Sequence, residues 1–182
     1  MKQRRVVAVP SAALCVLLAL SAAPLAAAAP DVPDGLRVPA DQTLALELQA
    51  VGVQIYVCGA RKDDATKFEW TLKAPEAELF DAAGKKIGKH YGGPTWEADD
   101  GSKVVGEVRA RDDGPDAAAI PWLLLSAKAT SGSGILSKTA SIQRLRTVGG
   151  KSPATGCNQA AHAGTEVRVP YKASYYFYAA KS

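Results

Sequence analysis

His90 and His162 are the two histidines of this 182-residue chain, so acid–base chemistry near neutral pH would be built on one of them. His90 stands in Gly88-Lys89-His90-Tyr91-Gly92-Gly93-Pro94-Thr95-Trp96, and Asp99-Asp100-Gly101-Ser102 follows closely. An imidazole within reach of Asp99 or Asp100 would have the general acid/base capacity of a hydrolase or lyase. The plainer reading makes His90 a hydrogen-bonded strand residue near a chain bend, and lets the Asp-Gly pair satisfy the backbone of its own hairpin turn. A metal centre would have to gather His90, His162 and carboxylates from distant points, and Asp112-Asp113 with Asp116 lacks the ligand spacing of a calcium loop. No metal and no cofactor is therefore expected.

The aromatic rings are the other candidates. Glycines and a proline bend the chain around Tyr91 and Trp96, and such bends sit at sheet ends, where binding sites are usually built. The candidate ligand-binding residues are thus His90, Tyr91, Trp96 and Asp100. Successive strand residues point to opposite faces, so only one of His90 and Tyr91 shares a face with Trp96. His90 is the choice, because a buried neutral imidazole needs partners whereas a tyrosine packs readily. Trp96 itself reads either as core, by a small margin, or as lining an open groove; on the groove reading Trp96→Ala should cost under about 1 kcal/mol instead of the roughly 3–5 kcal/mol of a core tryptophan. Trp122 and Phe177 are read as core.

Catalytic motifs are missing. There is no Gly-x-Ser-x-Gly elbow and no His-Glu-x-x-His. Gly150-Lys151-Ser152 would close a phosphate loop only if position 145 were glycine, and it is Leu145. Gly132-Ser133-Gly134 would open a dinucleotide fingerprint only if position 137 were glycine, and it is Ser137. The expectation is a non-enzymatic module that binds a small molecule, a glycan or a protein. The alternatives are an enzyme of unrecognised type using His90 with Asp99 or Asp100, and a structural surface protein.

The N-terminus speaks to location. Lys2, Arg4 and Arg5 precede an apolar run over residues 6–25, which ends in Ala26-Ala27-Ala28-Ala29. This is the layout of a secretory signal peptide over residues 1–28, cleaved after Ala28, and it implies a secreted or periplasmic protein with no membrane span once the signal is gone. Gln3-Arg4-Arg5-Val6-Val7 is a weak twin-arginine pattern, but the strongly apolar core favours the general secretory route. Without the three basic signal residues the mature chain has 19 basic and 18 acidic residues, a net charge of +1. Such a balance gives no electrostatic footprint for nucleic acid. Cys58 and Cys157 remain after cleavage, and in an oxidising compartment they are expected to pair. Closing a loop of roughly a hundred residues contributes about 4–5 kcal/mol in the chain-entropy account.

Positioning falls to β-structure. Residues 29–40, rich in Pro and Asp, read as an extended leader, and residues 41–180 as a single all-β domain. Period-two alternation recurs at 44–49, 51–58, 68–73, 86–91, 103–111, 141–148 and 166–179, with short strands at 78–81 and 95–98 and a continuous apolar run at 120–125. Asp100-Gly101 is the clearest hairpin signal. About nine to ten short strands with no amphipathic helix point to an antiparallel sandwich or barrel.

Several of these stretches together resemble one known family. Gln54-Ile55-Tyr56-Val57-Cys58, Gly88-x-His90, Gly93-Pro94-Thr95-Trp96-Glu97, Asp100-Gly101-Ser102, Ile120-Pro121-Trp122-Leu123-Leu124, Gly156-Cys157 and Val169-Pro170-Tyr171-x-Ala173-x-Tyr175 look like the domain-of-unknown-function 3455 family. The likeness runs from about Pro33 to Tyr178. It implies an exported protein of bacteria or fungi, and it implies no established activity and no catalytic residue.

Overall fold

A computed structural model of the chain describes residues 29–181, so the expected signal peptide and its expected cleavage point lie outside the described residues. Alternation becomes eight strands: β1 (Gln42–Ala60), β2 (Phe68–Phe80), β3 (Lys86–Tyr91), β4 (Thr95–Ala98), β5 (Lys103–Asp112), β6 (Trp122–Ser131), β7 (Ser141–Gly149) and β8 (Glu166–Ala180). Each runs antiparallel to the next, and β8 returns to pair with β1 from Gln42↔Ala180 to Val57↔Glu166. The sheet is therefore a closed barrel, not a sandwich, and closure removes the exposed edges of an open sheet.

The strand number is eight instead of nine or ten because two expected pairs of strands are each continuous. Residues 44–49 and 51–58 form the single β1, and 68–73 and 78–81 the single β2. In β1 the inward positions after Leu48 are Ala50, Gly52 and Gln54, so small and polar residues interrupt the apolar period. In β2 the apparent breaker is Pro75. Only Glu76–Phe80 of β2 is covered by β3, so Pro75 sits where that flank is unpaired and its missing N–H is tolerated.

Inside the barrel, Leu48, Leu79, Val104, Leu125, Ile142 and Phe177 pack together in the main core. A second apolar cluster lies outside the barrel. There a short 3₁₀ turn (Asp34–Leu36) sets Leu36 over Leu145, Tyr176 and Tyr178, with half-buried Trp122 at its margin. Phe177 is thus inner core as expected, while Trp122 belongs to this outer cluster. The Gln143 amide fixes the leader by donating from Nε2 to the Leu36 carbonyl at 2.6 Å, and it accepts from the Tyr178 hydroxyl at 2.7 Å. The leader covers the otherwise exposed second face of β8, which explains why both Tyr175 and Tyr176 are buried.

Cys58 and Cys157 are joined, with Cα atoms 5.5 Å apart. The bridge ties the 150–165 loop to the end of β1, and the Trp70 indole adds a hydrogen bond to the Thr155 carbonyl at 2.9 Å. On the opposite wall β3 and β4 form a hairpin much shorter than β1, β2 or β8. The wall is low there, and that notch is where the lumen opens.

Candidate functional site

The lumen holds a cavity of about 270 Å³ beneath the β3–β4 notch. Its rim is apolar. Leu72 and Val108 are about half exposed at the mouth, beside Pro75, Pro94 and Leu123. Isolated exposed aliphatics are ordinary, but a group ringing a cavity marks a binding mouth. Deeper in, Gln54 from β1, His90 from β3, Trp96 from β4, Arg144 from β7 and Tyr175 from β8 form the wall.

Local pairing sets the centre of this wall. His90 and Trp96 are directly opposed across the β3–β4 hairpin, so both point inward. Their rings stack at 4.4 Å with planes 13° apart, and Tyr175 meets both rings edge-on. Gly106 makes room, since a Cβ there would lie 2.9 Å from the Trp96 ring. His90 donates from Nδ1 to the Thr95 carbonyl at 2.8 Å. That bond fixes the tautomer and leaves Nε2 as an acceptor. Burial holds the imidazole neutral, with its pKa pushed down to about 3, and the nearby Arg144 charge acts in the same direction against the bond to Thr95.

Arg144 is the unusual member. Its Nε and Nη2 donate to the Pro121 carbonyl at 3.1 and 2.8 Å. Among the described residues no carboxylate lies within ion-pairing distance of its guanidinium. Its field reaches His90, Tyr56, Tyr171 and Tyr175. Burial raises the phenol pKa values of Tyr171 and Tyr175, so both hydroxyls stay protonated. Three buried polar atoms that line the cavity lack a well-formed hydrogen bond, Gln54 Nε2, Trp96 Nε1 and the Tyr175 hydroxyl oxygen, as does the Tyr171 hydroxyl oxygen beside Tyr175. Buried polar groups are nearly always partnered, so three orphans on one cavity call for an explanation.

The other sequence candidates lie elsewhere. Tyr91 points outward, and its hydroxyl donates to Glu97 at 2.6 Å. That bond and Lys103, 3.0 Å away, hold the Glu97 carboxyl down to about 2. Asp100 is exposed at its hairpin, where it accepts from the Ser102 N–H and hydroxyl at 2.8 and 2.6 Å and from the Ile135 N–H at 2.8 Å. Those bonds pull its carboxyl below the ordinary range and pin the 132–136 loop. Asp99 is exposed in the same turn. The structure therefore brings His90 and Trp96 together and leaves Tyr91, Asp99 and Asp100 outside the lumen.

Of the two readings of Trp96, the open groove is corrected and core is what the structure has: Trp96 is 1% exposed and part of the main core cluster. Sequence reasoning missed Gln54, Arg144, Tyr171 and Tyr175 as wall residues. The available signal was phase. Arg144 shares a strand face with Ile142, and the two tyrosines share one with Ala173 and Phe177. Among the described residues no three His, Cys, Asp or Glu side chains cluster to hold a metal, and no helix is long and apolar enough to cross a membrane.

Residues 39–179 match the family described as protein of unknown function (DUF3455), and the chain belongs to it. No curated protein and no solved structure matches the chain.

Proposed function

We propose that this member of the DUF3455 family is an exported binding protein that takes one small, largely apolar molecule into its barrel. Three polar atoms that line the cavity without a well-formed hydrogen bond, Gln54 Nε2, Trp96 Nε1 and the Tyr175 hydroxyl, carry the reading, because a bound molecule would satisfy groups that the protein leaves without good partners. An eight-stranded barrel has room for one small ligand when its side chains do not fill it. A cavity of about 150 Å³ holds benzene, so 270 Å³ suits a body somewhat larger than one aromatic ring. A concave space of that size with one open mouth favours a small molecule over a glycan chain or a protein partner. The signal-like N-terminus supports placing the protein in the periplasm or outside the cell.

The enzymatic alternative has less support. His90 hydrogen-bonds to a backbone carbonyl and not to a carboxylate, and Asp100 is occupied by its own turn. A matched panel of 3-phenylpropanol, 3-phenylpropanoate and 3-phenylpropanamide tests the binding reading. In wild-type protein at least one member should raise the melting temperature and shift the Trp96 indole N–H resonance. In Val108→Trp, which plugs the mouth from a half-exposed position, neither effect should appear. Equal stabilisation of both proteins, or an unmoved Trp96 resonance with every member, would overturn the reading.

A further inference from the structure

We infer that the molecule taken up is a small monocarboxylic acid, its carboxylate against Arg144 and its apolar body toward the β3–β4 mouth; this rests on the lumen being the binding site. The unsatisfied groups of the cavity wall are mostly donors. Arg144 uses Nε and one Nη2 hydrogen on the Pro121 carbonyl, which leaves Nη1 and the second Nη2 hydrogen with no carboxylate or carbonyl partner and only the Tyr175 hydroxyl close by. The Trp96 indole can only donate and has no acceptor, and the Tyr175 hydroxyl, which Tyr171 and Arg144 both approach, makes no well-formed bond of its own. Against these stand two acceptors, His90 Nε2 and the Gln54 side-chain oxygen. A wall so rich in donors lacks acceptors, and a ligand that completes it must supply them.

Charge narrows the class. Arg144 is one cation without a carboxylate at ion-pairing distance. Lys73, also at the cavity, is already paired with Glu166. A single uncompensated positive charge matches a monoanion, whereas a phosphate dianion would leave negative charge buried without a partner. The outer edge of a guanidinium offers two parallel N–H groups, the fork that a carboxylate fills with both oxygens. Geometry sets the orientation: the charged group lies deep beside Tyr175, and Leu72, Val108 and Pro94 line the exit.

Calorimetry with the same three compounds at neutral pH tests this on the mature protein. The acid, its amide and its alcohol share one carbon skeleton and differ in charge. Wild-type protein should bind the acid at least about tenfold more tightly than either neutral analogue, a difference of about 1.4 kcal/mol. In Arg144→Gln the preference should collapse to within about twofold while the alcohol still shifts the Trp96 resonance. If the neutral analogues bind the wild type as tightly as the acid and move Trp96, the carboxylate assignment is wrong and the lumen reading stands. If the acid binds and moves Trp70 or Trp122 but not Trp96, or if none of the three moves Trp96, the lumen reading falls and takes this inference with it. Should Arg144→Gln fail to fold, the wild-type comparison decides alone.

Discussion

His90 should make the protein lose stability in mild acid, before its carboxylates begin to titrate. Its pKa is about 3 in the fold against an ordinary 6.5, and burial is the main cause. The unfolded chain takes up a proton below 6.5, and the folded chain does so only near 3. Stability is therefore unaffected above that window and falls as pH falls through it, by about 1.4 kcal/mol per pH unit. Between pH 7 and pH 5 the loss is about 2 kcal/mol. Glu97, Asp63, Asp64 and Asp100 also have lowered values, but they start from ordinary values of 4.5 or 3.8, so their losses come mainly below pH 5. Urea unfolding at pH 7 and pH 5 measures the effect in a His162→Gln background, so that one imidazole remains. His90→Gln in the same background will be less stable at both pH values, having lost the stack on Trp96. Its stability should nonetheless change little between them. An equal pH-dependent loss in both proteins, or none in the parent, would show that His90 is not held neutral.

Two further outcomes test the packing. Trp96→Ala should cost about 3–5 kcal/mol, since Trp96 is 1% exposed and touches His90, Tyr175 and Phe177, and a loss below about 1 kcal/mol in denaturant titrations would restore the open-groove picture. Reduction of Cys58–Cys157, which closes a separation of 99 residues, should remove up to about 4–5 kcal/mol and lower the calorimetric melting temperature, and an unchanged melt would mean that the 150–165 loop holds without its staple.

Most of the fold was legible because period two survives wherever the inner face is apolar. The β5, β7 and β8 alternations, the Asp100-Gly101 turn and the cysteine pair were all readable in this way. Reading failed where the inner face is not apolar. Gln54 in β1 and Arg144 in β7 point inward, so a rule that assigns polar residues to solvent placed neither of them in a site. Val51, which looks like a core residue, is 45% exposed on the outer face. Choosing between sandwich and barrel depended on whether β8 reaches β1, a contact between chain ends that no local pattern encodes. The site was half legible for the same reason. His90 and Trp96 are neighbours across one short hairpin, but their partners come from three strands far away in sequence.

The contrast within the lumen argues that its polar wall is kept for use. Leu48, Leu79, Val104 and Ile142, none of them on the cavity, pack as the interior of a small barrel is expected to pack. Around the cavity stand three polar atoms without a well-formed hydrogen bond and an arginine without a carboxylate. A buried donor or acceptor without a partner costs about 1–3 kcal/mol, so this wall costs several kcal/mol that aliphatic side chains would have spared. Closure of the barrel and the leader packed over β7 and β8 add support from outside without filling the lumen. Stability is thus built into the staple, the seam and the outer cluster, while the inner wall keeps groups that a guest would satisfy. A barrel shaped by stability alone would have reversed that arrangement.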